Sequence, residues 1–100
     1  MAVLLTYDVS EKQTEVKNGM KAIGYQESWS YGDHTISLPD ASLWKDGINR
    51  KQPIDDLNSI VLSINTGLQE EEKIRVERAV VVEFDFDSGW WAIAGAPHKG

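Results

Sequence analysis

Apolar residues recur every three or four positions in two stretches of the chain, which is the spacing of one face of an α-helix. The first stretch follows Ser10, which is the expected N-cap, because its hydroxyl can accept from an amide of the first turn while Gln13 reaches back to the cap amide. The apolar residues of this stretch are Val16, Met20 and Ile23. Gly24 is expected to end the helix in the left-handed conformation.

The second stretch begins near Pro53, a residue type that suits the first turn of a helix. Asp55 and Asp56 follow in that turn, where the helix dipole stabilises a carboxylate. The apolar residues of this stretch are Ile54, Leu57, Val61, Ile64 and Leu68. They share one face, and Thr66-Gly67 is expected to weaken its end. The chain is therefore predicted to contain two amphipathic helices.

Most other apolar and aromatic residues alternate with polar ones, as the residues of β-strands do. The predicted strands are residues 2–9, 25–31, 35–38, 75–87 and 90–94, with a short continuation at residues 43–44. Gly32-Asp33 is a predicted turn, and Pro39 places the preceding strand at an edge or breaks it there. One face of the strand 75–87 carries Val80, Val82, Phe84 and Phe86.

The order of these elements favours an α+β fold, namely a ferredoxin-like βαββαβ sandwich with an antiparallel sheet and two helices on one face. Residues 1–95 are predicted to form a single domain and residues 96–100 a flexible tail. Such a sheet leaves its second face bare. Because the chain has four tryptophans and apolar side chains on a bare face need a partner, we expect a homodimer.

Composition and charge narrow the class of protein. With 41% hydrophobic and 26% charged residues, the 100-residue chain has the composition of a globular domain. The absence of cysteine excludes disulfides and thiolate metal sites and suits a reducing compartment. No apolar run is long enough to cross a bilayer and no secretory signal is visible, so a cytoplasmic location is expected. The formal charge of −6 disfavours non-specific binding of nucleic acid.

One position in the sequence suggests chemistry. Asp8 lies at the carboxyl end of the first predicted strand, and in a twofold dimer two copies of it can hold one Mg²⁺ through carboxylate oxygens and water. The cation can then activate water for attack on a phosphodiester. Ser10 is the second candidate catalytic residue, because its hydroxyl can assist by hydrogen bonding. In the structural alternative, Asp8 only ends the strand and competes with Ser10 to cap the helix.

The first part of the chain also resembles a known superfamily. The similarity lies in residues 4–9 (Leu-Leu-Thr-Tyr-Asp-Val), the capped helix and Gly24-Tyr25, which resemble the start of the small CRISPR-associated nuclease/adaptation proteins and their VapD-like toxin relatives. Residues 27–29 and 37–44 look like uncharacterised bacterial and phage members of that group. The resemblance implies a ferredoxin-like fold, a dimer joined through its sheets, and a first-strand aspartate, here Asp8, as the magnesium ligand.

Two functions follow from these observations. The first is a non-catalytic interaction or assembly module related to those proteins, which binds a protein partner or mimics nucleic acid through its acidic surface. The acidic run Glu70–Glu72, the net charge and the tryptophans favour this interpretation. The alternative is a magnesium-dependent endonuclease that hydrolyses RNA or DNA with Asp8. The sequence does not decide whether the chain is an enzyme.

Overall fold

A computed structural model describes residues 1–85 and 90–91, apart from the side chain of Tyr31. The elements are strand β1 (Ala2–Val9), helix α1 (Gln13–Ala22), strands β2 (Ser28–Tyr31), β3 (His34–Ser37) and β4 (Ser42–Asp46), helix α2 (Gln52–Asn65), a 3-10 turn (Glu70–Glu72) and strand β5 (Val76–Phe84). The predicted strand at residues 90–94 lies mostly outside the described residues, as do Phe86 and the tail 96–100.

The second predicted helix is confirmed almost at its predicted limits. α2 contains Pro53 in its first turn. The side-chain oxygen of Asn49 accepts from the amides of Lys51 (2.9 Å) and Gln52 (3.0 Å) at the helix start, and the Gln52 amide also reaches the Asn49 carbonyl at 3.3 Å. Gly67 (φ 86°) follows the helix, so Leu68 lies beyond its end and the apolar stripe is shorter than predicted.

The predicted N-cap of the first helix is wrong. α1 begins at Gln13, and the preceding Lys12 adopts the left-handed conformation (φ 59°) and makes no side-chain cap. The Ser10 hydroxyl instead accepts from the Arg75 amide (3.0 Å), and the Ser10 amide donates to the Arg75 carbonyl (2.9 Å). Ser10 is thus bonded to the residue that precedes β5 and not to the helix. The other end is as predicted, because Gly24 has a φ of 103°.

β1 is the central strand of a three-stranded antiparallel sheet with the order β4-β1-β5. Leu4, for example, lies opposite Trp44 on one side and Val82 on the other. The pairing with β5 is regular up to Asp8 and shifts between Asp8 and Val9. Because side chains alternate along a strand, even-numbered and odd-numbered residues of β1 face opposite sides of this sheet.

The segment between the helices contains one strand more than predicted. β2 and β3 form a separate antiparallel hairpin that turns at Gly32 (φ 59°), which confirms the predicted turn. Residues 43–44 belong to β4, a strand in its own right that pairs with β1. On its far side, β4 exchanges two backbone hydrogen bonds of 2.9 Å between Trp44 and Gln26. The structure therefore confirms an α+β fold with two helices and antiparallel sheets.

Both helices pack on the face of the sheet that carries the odd-numbered residues of β1. The buried core on this face consists of Leu5, Tyr7, Val9, Val16, Met20, Tyr25, Leu43, Leu57, Val61 and Ile74. The two helices approach closely at Gly19, where an added Cβ would lie 2.7 Å from Cγ2 of Ile60. Glycine at this position therefore permits the contact between α1 and α2.

The face of the sheet opposite the helices, called here the open face, is covered over half its length. The covered half consists of Ala2, Trp44 and Phe84 beneath Trp29, Ile36 and Leu38 from the hairpin and the residue after it. The Trp29 ring lies edge-on to Trp44 (5.9 Å) and Trp90 (5.2 Å). The open half carries Thr6, Asp8, Arg78, Val80 and Val82. Trp29, Trp44 and Trp90 therefore pack within the chain, and the homodimer expected from the tryptophans stays a prediction.

Candidate functional site on the open half

The position of Asp8 follows from the register of β1 and β5. Asp8 lies directly opposite Arg78, so both side chains stand on the open face. Arg78 Nε donates to Asp8 Oδ2 at 2.5 Å, and the Asp8 side chain is 47% exposed. The carboxylate raises the pKa of Arg78 further above its already high value, first by the hydrogen bond and then by charge. The pair is a charge-assisted contact at the surface.

Asp8 also borders a shallow depression of about 190 Å³ at the end of the open half. The lining includes Thr6, Arg78 and Val80 from the sheet and Asp40 from the segment before β4. Two carboxylates therefore border one opening, together with one guanidinium. The Asp40 carboxylate lies 3.7 Å from the Lys17 ammonium. Within residues 1–85 and 90–91, no group of three or more His, Cys, Asp or Glu side chains is arranged to hold a metal ion.

Tyr7, the residue before Asp8, is buried, whereas the side chain of Asp8 is 47% exposed. Tyr7 points to the helix face and is buried in the core. Burial, and secondarily the charge of Asp40, raise the pKa of Tyr7 to about 12. The phenol therefore stays neutral across the ordinary pH range, and Tyr7 serves as a core residue.

Ser10 is not brought into contact with Asp8 by any described hydrogen bond. Its hydroxyl oxygen and its amide both bond Arg75, beyond the register shift that follows Asp8. The two predicted site residues thus have different partners, Arg78 within β5 and Arg75 just before it. Arg78 is the residue that sequence analysis missed. It could have been found only by knowing the register, in which Leu4 opposite Val82 sets Asp8 opposite Arg78.

The second feature of the open half is its exposed apolar surface. Val80 is 57% exposed and Val82 is 51% exposed, although both lie in the middle of β5. Their side chains alternate with Val81, which points to the helices. The valine-rich sequence of β5 thus supplies apolar side chains to both faces of the sheet. On the helix face they are packed against the core, whereas Val80 and Val82 on the open face are exposed.

Other charged residues of the described chain hold structural elements together. Lys17 and Lys21 of α1 contact the Glu27 carboxylate at 3.1 and 2.8 Å, and these contacts lower the pKa of Glu27. The Tyr25 hydroxyl donates to Asp56 at 2.7 Å and so ties the chain after α1 to α2. These contacts account for the charges without assigning them chemistry.

Comparisons with known proteins add nothing to these structural observations. No family model, curated protein or solved structure matches the chain. In the part of the chain that the structure describes, no helix combines the length and the apolar character needed to span a bilayer.

Proposed function

We propose that this protein is a small non-catalytic interaction module that assembles with a second copy of itself through β5 and the open half. The observation that carries the proposal is the exposure of Val80 and Val82 in the middle of a strand, beside an ion pair and away from the helices. Burying such side chains in an interface stabilises association by roughly 25 cal/mol for each Å² of apolar surface removed from water.

The arrangement of the polar groups supports a binding surface rather than a reaction centre. Asp8 is bonded to Arg78, and the Ser10 hydroxyl accepts from a backbone amide. A general base or a metal ligand must have an oxygen directed at the substrate or the cation. Arg78 occupies one oxygen of Asp8, the carboxylate that the sequence suggests as a metal ligand.

We also propose that the sheet is a ferredoxin-like sheet with an inserted hairpin. The order β5-β1-β4, continued by the pairing of Gln26 with Trp44, follows the antiparallel strand order of a βαββαβ fold, in which the residues around Gln26, next in the chain after α1, stand for the second strand. The hairpin β2–β3 is then the insertion that covers half of the open face. On this view the resemblance to the CRISPR-associated and VapD-like proteins concerns the fold and the dimer.

The proposal is tested by measuring the molar mass in solution across a range of protein concentrations. The wild-type chain is expected to be a dimer, and Val80→Lys is expected to dissociate it, because the ammonium cannot be buried without a partner. Leu62→Lys is the matched control, since Leu62 of α2 is 71% exposed and lies outside the open face. It makes the same change of charge and should leave the dimer intact.

Two results would refute the assembly proposal. One is a wild-type protein that stays monomeric at every concentration. The other is a dimer that Val80→Lys leaves unchanged while Leu62→Lys disrupts it, which would move the interface to the outer face of α2. Circular dichroism of both variants checks that the fold is retained.

A second candidate function is a Mg²⁺-dependent phosphodiesterase. The observation that favours it is the opening shared by Asp8, Asp40 and Arg78, in which carboxylates can attract a cation and a guanidinium can hold a phosphate. In this case, RNA or DNA is cleaved only with Mg²⁺, and Asp8→Ala abolishes cleavage. Asp33→Ala, at the exposed turn between β2 and β3, is the control. Equal activity in the two variants, or none in the wild type, would eliminate this function.

A further inference from the structure

Two dipeptides of the chain place glycine directly after an aspartate or an asparagine. They are Asn18-Gly19 and Asp46-Gly47. In such a dipeptide the backbone nitrogen of the glycine can attack the side-chain carbonyl carbon of the preceding residue, because glycine has no side chain to obstruct the approach. The product is a five-membered cyclic imide. In a folded protein, the local backbone decides whether the two atoms can meet.

The surroundings of Asp46-Gly47 permit this attack. Asp46 is the last residue of β4 and lies opposite Ala2, at the end of the pairing with β1. Both Asp46 and Gly47 are exposed to solvent. Gly47 turns the chain out of the strand with a φ of 76°. The reacting groups therefore lie in a surface turn that water can enter.

The Gly47 nitrogen is in contact with the carboxyl group that it would attack. Its N–H donates to Oδ1 of Asp46 at 2.9 Å and to the Met1 carbonyl at 3.3 Å. The first bond holds the nitrogen beside Cγ of the same carboxyl group. The second is longer than the usual hydrogen bond and is a weak tether. The folded chain thus keeps the reacting atoms close together, which lowers the entropic cost of reaching the transition state.

The arrangement at Asn18-Gly19 is the opposite, because both residues lie inside α1. In an α-helix the Cα–Cβ bond tilts towards the N-terminus, so the side chain of Asn18 is directed away from the following amide. That amide is also bonded to a carbonyl of the preceding turn. Packing fixes the helix at this point, since a Cβ added to Gly19 would lie 2.7 Å from Cγ2 of Ile60.

We infer that Asp46 converts spontaneously to isoaspartate in the folded protein, whereas α1 protects Asn18. In the first step the Gly47 nitrogen forms a bond to Cγ of Asp46, and the carboxyl hydroxyl leaves with the amide proton as water. In the second step one water molecule opens the imide. Opening at the main-chain carbonyl of Asp46 leaves the backbone running through Cγ, and opening at Cγ restores aspartate. Water is the only co-reactant, and no group is oxidised or reduced.

The fold thereby reverses the order of reactivity that the side chains alone would set. An amide loses ammonia to the attacking nitrogen more readily than a carboxyl group loses water, so Asn18 is the more reactive residue in an unfolded chain. The modified Asp46 carries a free α-carboxylate and one extra methylene in the backbone between β4 and α2. Such a carboxylate is the methyl acceptor of isoaspartyl methyltransferases, which use S-adenosylmethionine as the donor.

Ageing of the full chain tests the inference. Native protein and protein in guanidinium chloride are incubated at mildly acidic pH, where the protonated carboxyl group can lose water, and are then digested with chymotrypsin. Cleavage after aromatic residues and leucine places the two sites on separate peptides, residues 45–57 and 8–25. Isoaspartate leaves the mass of the first peptide unchanged but alters its retention, and fragmentation locates the isomer. Deamidation of Asn18 raises the mass of the second.

In the native protein, isoaspartate at Asp46 should accumulate several-fold faster than the product at Asn18, and in denaturant the order should reverse. Asp46→Glu is the matched control, because it keeps the charge but would have to close a six-membered ring, which forms far more slowly. This variant should lose the isoaspartate signal and the methylation by isoaspartyl methyltransferase, with an unchanged circular dichroism spectrum.

Three results would overturn the inference. The first is aged native protein without isoaspartate at Asp46, and the second is native protein in which Asn18 reacts first. The third is a several-fold acceleration at Asp46 on unfolding, because the turn would then protect the aspartate instead of bringing it to the Gly47 nitrogen.

Discussion

The two halves of the open face are built from the same three strands, yet they have opposite surroundings. In the covered half, Trp44 and Phe84 lie beneath the hairpin and are almost fully buried. In the open half, Val80 and Val82 of the same strand as Phe84 are more than half exposed. The difference comes from the β2–β3 hairpin, which lies between α1 and β4 in the chain and covers only one end of the sheet. An apolar strand residue is thus a core residue only where another element reaches it.

The largest expected loss of stability comes from a substitution in the covered half. Trp44→Ala removes a ring that packs edge-on against Trp29 and an Nε1–H that donates to the Ser28 carbonyl at 2.7 Å. The free energy of unfolding should fall by about 3–5 kcal/mol. Urea denaturation followed by circular dichroism measures it. Val82→Ala in the open half is the control, and in the monomer it should cost less than about 0.5 kcal/mol. Equal losses would contradict the difference between the halves.

A loss of stability of intermediate size is expected at high pH, and it comes from a residue on the helix face. The pKa of Tyr7 is raised from 10.0 to about 12, so the neutral, buried phenol stabilises the fold fully below pH 10, and this contribution is lost as the pH rises towards 12. Two pKa units correspond to about 2.7 kcal/mol. Tyr7→Phe should therefore weaken the fall in stability over this range. Thermal unfolding at a series of alkaline pH values measures it.

Tyr25 limits how much of the alkaline effect Tyr7 can explain. Burial and the hydrogen bond to Asp56 raise the pKa of Tyr25 as well. Its ionisation at high pH therefore also destabilises the fold. Some dependence on pH should therefore persist in Tyr7→Phe and decrease further in the double variant with Tyr25→Phe. An unchanged pH profile in Tyr7→Phe would mean that the phenol ionises freely.

The smallest effect is expected at the ion pair of the open half. Asp8→Asn and Arg78→Gln each remove a surface charge whose partner can be solvated by water. Neither variant should shift the urea midpoint of the monomer detectably, at low or at high salt. A large loss of stability in either would show that Asp8 and Arg78 are parts of a buried network. A loss of dimer without loss of stability would place them in the interface.

Local patterns in the sequence predicted the elements of this fold well. The spacing of apolar residues gave both helices, Gly24 marked the end of α1, and Gly32-Asp33 marked the hairpin turn. The start of α1 was not predictable in this way. Ser10 has the residue type of a cap, but Arg75, far along the chain, binds it instead. A hydrogen bond to a distant strand leaves no local signal.

The candidate site was predicted less well for the same reason. The position of Asp8 at a strand end was readable, since it depends on β1 alone. Its partner Arg78 depends on the register between β1 and β5, which pairs residues 70 positions apart. The covering of Trp29 and Trp44 depends on where the hairpin packs, and alternation within β2 and β3 does not specify that. Sequence patterns therefore identified the elements, and tertiary pairing decided which side chains are exposed.

The cluster of indoles gives the protein an internal spectroscopic probe. Trp29 stands with its ring centre 5.9 Å from that of Trp44 and 5.2 Å from that of Trp90, close enough for their electronic transitions to couple. Detachment of the hairpin would abolish the resulting circular dichroism signal even while both helices persist. Trp91, which is 96% exposed, should emit at the longer wavelength of hydrated indole throughout. Stopped-flow optical measurements can thus time the closing of one strand pair over the sheet without any label.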